Sequence, residues 1–594
     1  MYFFSVHKKK AFPLIVIAMV ALIAASFATS FSSGTAHAAS TANSSVMFQG
    51  IAGTVSRLSV SQGLPTPGTA LGNTADSDGD DLANAAPLTA AEQTSAPSSN
   101  GVAVNMGNGA HIDGVQHNFL GLTDPNQAAA NGGVGQAEVT PPDQGLCTGF
   151  DPGVRGQAVV FETINSALRE MSVNGQALSG HPLLGNQDVG FSKFWEPNAF
   201  SDPRCFFLPD SQTFIFTVIG IVQSGPDQGQ TDTDVAVFNR RGFAVYQIDS
   251  SFGGKFFGDQ PHVGYDSNNL YITTDAFAAV GPGFFGADLF AVPLRQLETE
   301  ITTLNEVFFP PVTLAGIPIR TLEPAISTTP TQTEFLMNSF PFTATARILS
   351  TNQLGFWTVQ HGEDLIEGRA QNITLSGRVI QSETYGFPVG AVSTGTGAVT
   401  NGITSEAILN SGDSRLLQVQ FIDGHLWSAL GTSLTVGTDP VVRDGVAWFD
   451  VDAREGAMAN QGYIASAGDY LMYPAILHNQ AGNTVITFSM TSATLNPSAA
   501  FVVANGDRDN DVNSRDHESG THFGNIQIVA QGAGPHLSFS DALAVGGRAR
   551  WGDYSAAAFA PNGEDFWLAT EDITPGVTDP FDNWATQVTA VDGD

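Results

Sequence analysis

The chain has 594 residues, 57 Asp+Glu against 23 Lys+Arg, and a formal net charge of −34. A field of that sign repels phosphate backbones and argues against a nucleic-acid partner. Hydrophobic residues make up 42% while only 13% are charged, so the composition is that of a chain with a core to bury, not of a disordered polyanion.

Taken in order, the first segment is an export signal. Lys8-Lys9-Lys10 forms a basic start, Ala11 to Ala25 an apolar run, and Ala36-His37-Ala38 a small-x-small cleavage pattern, so residues 1–38 read as a signal peptide. The alternative is an uncleaved anchor, because the apolar run is nearly long enough to span. No later stretch is long and apolar enough to cross a bilayer. After removal of the three signal lysines only Lys193 and Lys255 remain, and the balance becomes 20 basic against 57 acidic residues, or −37. A monomeric, secreted or surface-associated chain is expected.

Residues 39–140 are rich in Ala, Ser, Thr, Gly and Asn with few aromatics. Such a composition buries little apolar area and reads as a largely mobile arm. Within it, the acids of Asp76-Ser77-Asp78-Gly79-Asp80-Asp81 crowd around a glycine but lack the distal acid of a calcium loop, so a solvated loop is expected.

Regular structure is expected from Pro141-Pro142-Asp143 onward. Asp259 to Thr274, DQPHVGYDSNNLYITT, supplies the pattern: an acid and a proline, a short apolar strand, a polar turn, and an aromatic-bearing return strand. Asp202-Pro203-Arg204 opens a similar unit with a turn at Asp210-Ser211. Asp413-Ser414-Arg415 opens another with a turn at Asp423-Gly424, and Tyr473-Pro474 a third with Gly482-Asn483. Asp553-Tyr554 leads to Asn562-Gly563 and Phe566-Trp567-Leu568. Each is a hairpin signal, because Asn, Asp and Gly supply the positive φ that tight turns require. Adding a first unit near Gln157 to Val173 and a fourth from Glu323 gives seven, of roughly 64 residues each, and points to a seven-bladed, all-β propeller over residues 141–594. The stretch from Gly368 to Ala407 fits no unit cleanly, which leaves six or eight blades as alternatives. Ring closure requires that the last strand pair into the first unit, or that the segment before Pro141 complete the last one.

The motifs PPDQGLC, SDPRCFF, GDQPHVGYD with LYITTDAF, and RWGDYSAAAFAPNG with FWLATE resemble those of a family of exported bacterial β-propeller proteins, some loosely labelled sialidase-like. The resemblance spans about three quarters of the chain and implies a fold and export, with no transferable activity. The chain lacks both the Ser-x-Asp-x-Gly-x-Thr-Trp box and the Arg-Ile-Pro segment of sialidases.

Three sets of residues carry possible chemistry. Cys147 and Cys205, the two cysteines of an exported chain, are expected to form a disulfide joining the first unit to the second, two buried thiols being the alternative. Asp202, Asp259, Glu323, Asp413 and Asp553 enter their units at positions aligned as equivalent. They would face one channel mouth, interspersed with the ligand-binding candidates Arg204, His262, Arg415 and Arg550. Converging acids can hold a proton or a cation, as general acid-base catalysis or calcium binding requires; acids at strand starts also cap turns. The third set is Asp507, Asp509, Asp511, Asn513 and Glu518. With Asp507 as position 1, acids fall at 1, 3, 5 and 12 of a calcium loop, although position 6 is Val512 in place of glycine. Calcium is the one cofactor this spacing suggests. Trp427, Trp551 and Trp567 could stack on sugars, but at hairpin positions they read as core.

The reading that follows is an exported propeller binding an extracellular glycan or peptide at its channel mouth. Two alternatives stand beside it: an extracellular glycoside hydrolase or lyase using funnel carboxylates, and a surface adhesin or scaffold. Two unpaired carboxylates about 5–9 Å apart would favour hydrolysis; carboxylates engaged by arginine or backbone would favour binding or structure.

Overall fold

The computed structural model describes residues 45–58, 74–75, 114–131, 139–178, 188–191, 199–222, 228–280, 283–343, 346–400, 403–504, 521–539, 544–545, 548–577 and 582–593. Residues 1–38, read as a signal peptide, the acidic stretch Asp76 to Asp81 and the calcium-loop candidates Asp507 to Glu518 lie outside the described residues.

The fold is all-β and propeller-like. Four-stranded antiparallel units succeed one another along the chain. Their first strands are Gln144–Phe150, Ala199–Leu208, Phe256–Tyr265, Glu323–Ser327, Leu416–Ile422, Tyr470–His478 and Ala556–Phe559. The turns form where the sequence places them. Asp423 and Gly424 take φ of 48° and 87°, so two residues suffice to return Leu416–Ile422 into His425–Leu434 in the sense that matches strand twist.

Apolar alternation explains why the units stack face to face. Adjacent residues of a strand point to opposite faces, and in the third strands of units four and five Phe356 and Trp357, or Trp448 and Phe449, go to different junctions. Trp357 packs with Leu289 of unit three, and Phe356 with Phe449 of unit five. Trp448 packs with Phe488 of unit six, and Phe501 with Leu568 of unit seven. Trp567 then packs with Val160 of unit one, Phe161 with Phe214 of unit two, and Ile215 with Ile272 of unit three. The chain of buried junctions therefore returns to its start.

The first strands lie innermost. Tyr265 bridges Ile326 in parallel, and Ala325 to Ser327 pair in parallel with Val419 to Phe421. Gly264 makes the first of these approaches possible, because a Cβ there would meet the backbone of Pro324 and Ala325. Cys147 and Cys205 form the expected disulfide between the first strands of units one and two, with Cα atoms 5.3 Å apart. Closing 58 residues of chain removes about 4 kcal/mol of unfolded-state freedom in the chain-entropy description.

The largest difference from the sequence reading concerns residues 39–140. Val115–Thr123 is the fourth strand of unit seven, paired with Ala585–Val591, so the ring closes through the segment before Pro141. Ser45–Gln49 adds an edge strand to unit four and Ile51–Ser56 one to unit three. Arg57 and Leu58 continue onto Tyr246 and Val245 of unit two. Composition misleads here because a strand that borrows a preformed edge needs little apolar area of its own. The stretch that fitted no unit also resolves: Thr374–Gly386 is the outer strand of unit four, and the residues after it form short accessory sheets with Leu537–Phe539 and Arg548–Ala549. No described helix is long and apolar enough to cross a membrane.

Candidate functional site

The first strands share a local device that sets the site. Asp202, Gln260 and Tyr473 each precede a proline, each has φ of 50°, and each sits in a register shift of its inner strand. A non-glycine residue in that region is strained, and such bulges re-aim neighbouring side chains. The bulge corrects the alignment made on the acids alone. Asp202 matches Gln260 and Tyr473, whereas Asp259 matches Ser201. Glu323 precedes Pro324 without a positive φ, and Asp413 and Asp553 lie ahead of their strands. The five acids are therefore not one ring of equivalent positions, because the repeat is set by backbone geometry and the acids fall at different registers within it.

They nevertheless share one network at the axis, shown by contacts that skip units. Arg415 of unit five donates from Nη1 to Gln260 Oε1 of unit three. Arg204 of unit two lies 3.7 Å over the Tyr554 ring of unit seven, and His262 of unit three meets the same ring edge-on at 5.9 Å. Asp143 of unit one accepts from the Asp553 backbone at 3.1 Å, from Ser201 at 3.4 Å and from Asn165 at 2.6 Å.

Each candidate acid is engaged. Asp413 receives the Nε and Nη2 donors of Arg415 at 3.0 and 2.7 Å and its backbone N–H at 2.8 Å. Arg550 donates to Asp553 at 2.9 Å, and Glu323 Oε2 lies 2.5 Å from His262 Nδ1 with both side chains buried. Asp259 accepts from the Gln260 N–H at 3.0 Å and Asp202 from Ser201 at 3.2 Å. Arg204 and Asp553 keep partial exposure, while Asp202, His262, Glu323 and Asp413 are buried. Paired acids of this kind hold the inner strands together and do not readily exchange protons.

Electrostatics reinforce that division. Burial, followed by the charges of Asp202 and Asp143, holds the Tyr554 hydroxyl well above its ordinary range, with Arg204 opposing. Burial and then Asp553 do the same for Tyr473. Both phenols are neutral donors. Asp275, behind the network, is raised by burial and relieved by Arg320, Arg415 and His262. Gln260, Asp275, Tyr473 and Tyr554 are not among the site residues expected from sequence, although Tyr473 and Tyr554 stand at the openings of two repeated units. The residue before proline in each bulge would have found Gln260 and Tyr473, and Tyr554 adjoins Asp553. The three tryptophans are buried as core: Trp427 beside Trp448, Trp551 beside His536, Trp567 beside Phe119. Among the described residues no group of three or more His, Cys, Asp or Glu is arranged to hold a metal ion.

Comparison with known proteins adds names to the architecture. No family model matches the chain, and no curated protein matches it. Similar solved structures include the Hadza microbial sialidase Hz136, at 10% identity over 74% of each chain with a TM-score of 0.36. The Dos1 propeller is 9% identical over 76% of this chain and 92% of its own, with a TM-score of 0.30. A GH93 α-L-arabinofuranosidase of Fusarium graminearum, solved with arabinobiose, is 7% identical over 66% and 92%, with a TM-score of 0.31. These neighbours are a sialidase, a propeller and an arabinofuranosidase by name.

Proposed function

We propose that the protein is an exported, seven-bladed β-propeller that binds an extracellular glycan or peptide at the axis end formed by Arg204, His262, Arg415, Arg550, Asp553 and Tyr554. The observation that carries this reading is the meeting of Arg204, His262 and Tyr554 from three different units. A guanidinium stacked on a phenol is a preorganised donor surface for ligand oxygens. The engagement of Asp413 and Asp553 by arginines supports binding over acid-base hydrolysis, which needs two carboxyl groups free to exchange protons.

The test is a glycan and peptide array probed with residues 39–594, followed by titration of any hit. Arg204→Gln is expected to weaken binding about tenfold or more, the worth of one charge-assisted hydrogen bond, with an unchanged circular dichroism spectrum. Equal affinity for the variant, or release of shortened products from the hit, overturns the reading.

Calcium belongs to the same proposal: Asp507, Asp509, Asp511, Asn513 and Glu518 would supply its oxygens. Asp507→Ala with Asp509→Ala is expected to lower the melting temperature in calcium and leave it unchanged in chelator. Identical melting of the unaltered protein in both removes the metal.

A further inference from the structure

Four arginines gather on the outer strands of units two and three. Arg240 and Arg241 are the two loop residues of the hairpin that joins Thr231–Asn239 to Gly242–Ile248, Asn239 pairing with Gly242. Arg295 lies on the short helix Leu294–Glu298, which makes the corresponding connection in unit three, between Phe284–Pro293 and Thr303–Phe309. Arg57 is brought in by the borrowed N-terminal segment through its bridge to Tyr246. All four are exposed.

Hydrogen bonds between these segments hold them together. Asn239 donates from its side chain to the Glu298 carbonyl at 3.2 Å, and Arg57 from Nη1 to the Glu300 carbonyl at 3.0 Å. The Arg57 N–H donates to the Thr302 carbonyl at 2.9 Å, and the Tyr246 hydroxyl to that of Ile301 at 2.8 Å. The hairpin tip, the helix end and the borrowed segment therefore meet over residues 298–302.

Elsewhere the arginines of this acid-rich chain sit on acids: Arg169 on Asp188, Arg443 on Asp439, and Arg369 on Asp364 and Glu367. Among the described residues no carboxylate forms an ion pair with Arg57, Arg240, Arg241 or Arg295. The two acids of the hub do not cancel them. Glu300 keeps Oε1 buried without a hydrogen bond, and burial raises its carboxyl, with Arg57 and then Arg241 opposing. Four guanidiniums against Glu298 and Glu300 leave an excess of at least two positive charges. Local structure does not call for them either, since a two-residue hairpin loop asks for Asn, Asp or Gly. The acids of the rest of the chain act weakly here, because charges more than about 8 Å away are largely screened at physiological salt.

We propose that Arg57, Arg240, Arg241 and Arg295 form a docking surface for an acidic polysaccharide, whose carboxylate or sulfate oxygens the guanidinium forks receive in pairs. Several separate cations on an exposed rim fit a chain that carries a charge on each repeat. A DNA duplex, with one charge per about 1.7 Å, sets too dense a charge against the surrounding acids. A lipid surface needs an apolar anchor beside the basic residues. Leu58, next to Arg57, is packed into the core between units one and two, and the exposed Ile51 lies at the far end of its strand. The surface is separate from the axis network and stands whether or not the axis binds a ligand.

Surface plasmon resonance of residues 39–594 over immobilised polygalacturonate, dextran sulfate and neutral dextran tests it. Saturable binding to an acidic polymer that weakens as salt is raised, with none to dextran, is expected. Tighter binding to polygalacturonate assigns the anion to carboxylates, and tighter binding to dextran sulfate to sulfates. Arg240→Gln with Arg241→Gln is expected to weaken the affinity about tenfold, the loss of two exposed charge contacts, with an unchanged circular dichroism spectrum. Should that double variant fail to fold, Arg295→Gln alone is expected to weaken it about threefold. Arg204→Gln, at the axis, is expected to leave this binding unchanged, which separates the rim from the axis reading. No binding to either acidic polymer, undiminished affinity in the folded rim variants, or tighter binding to phosphatidylglycerol vesicles or duplex DNA overturns the proposal.

Discussion

Two strands from the N-terminal fifth of the chain, Ile51–Ser56 and Val115–Thr123, are seated on the fold by the same device with unequal depth. In each, a glycine rides over a glutamate: Gly53 over Glu306, and Gly121 over Glu162. The strands have similar unassuming compositions. Glu162 is fully buried and accepts from the Leu122 N–H at 2.7 Å and from the Thr586 hydroxyl, so it ties the strand, unit one and the C-terminal strand together. Glu306 is half-buried on an outer edge, and its strand leaves Ile51 exposed. The difference teaches that position in the ring, not composition, decides how much a borrowed strand contributes.

The largest effect should come from Gly121→Ala. A methyl there collides with both the Glu162 carboxylate and Thr586, neither of which can move without breaking the closure. Overpacking costs roughly 1–3 kcal/mol and stranding a buried carboxylate about as much again. Denaturant unfolding should show a loss of about 2–5 kcal/mol, and a loss under about 1 kcal/mol would mean that the ring does not depend on this tie.

The same contrast marks what sequence could reveal. Hairpins were legible because Asp423-Gly424, Gly482-Asn483 and Asn562-Gly563 announce their turns, and the disulfide because the chain carries just two cysteines. The arm was illegible because Val115–Thr123 and Ser45–Ser56 draw their stability from edges that lie far away in the chain. At the axis, the residues around the motifs were legible while their register was not. An acid next to a proline is visible in sequence, but the positive φ of Asp202, Gln260 and Tyr473 that sets equivalence is a property of the backbone. The rim arginines illustrate the limit: Arg57, Arg240 and Arg295 are far apart in the chain, and nothing in their neighbours forecasts that they meet.

A smaller effect separates the two strands by pH. Burial, and then the charge of Asp249, push the Glu306 carboxyl up from 4.5 to about 7. A carboxyl raised in the folded state favours docking while it is protonated. The advantage is whole below about pH 4.5 and is lost as pH rises through 7. Its partial exposure discounts the effect to about 1–2 kcal/mol. Hydrogen exchange of residues 51–56, corrected for intrinsic rate, should therefore show weaker protection at pH 8 than at pH 5, and Glu306→Gln should remove the difference. Equal protection at the two pH values would show that the strand is held by Val55 and its backbone pairing alone.

The smallest effect should come from Gly53→Ala, the counterpart of the first substitution. The three atoms nearest the added methyl all belong to the Glu306 side chain, whose carboxylate is the far end of a flexible, half-exposed chain, so Glu306 can swing aside. Gly53 has no positive φ, so alanine also lowers the freedom of the unfolded chain, which offsets part of the cost of displacing the carboxylate. A net change within about 0.5 kcal/mol is expected by denaturant unfolding, the range of ordinary surface substitutions. Protection of residues 51–56 should fall while that of residues 115–123 stays unchanged. A loss comparable to that of Gly121→Ala would mean that the outer strand is as integral as the closing one, and that burial of the glutamate does not distinguish them.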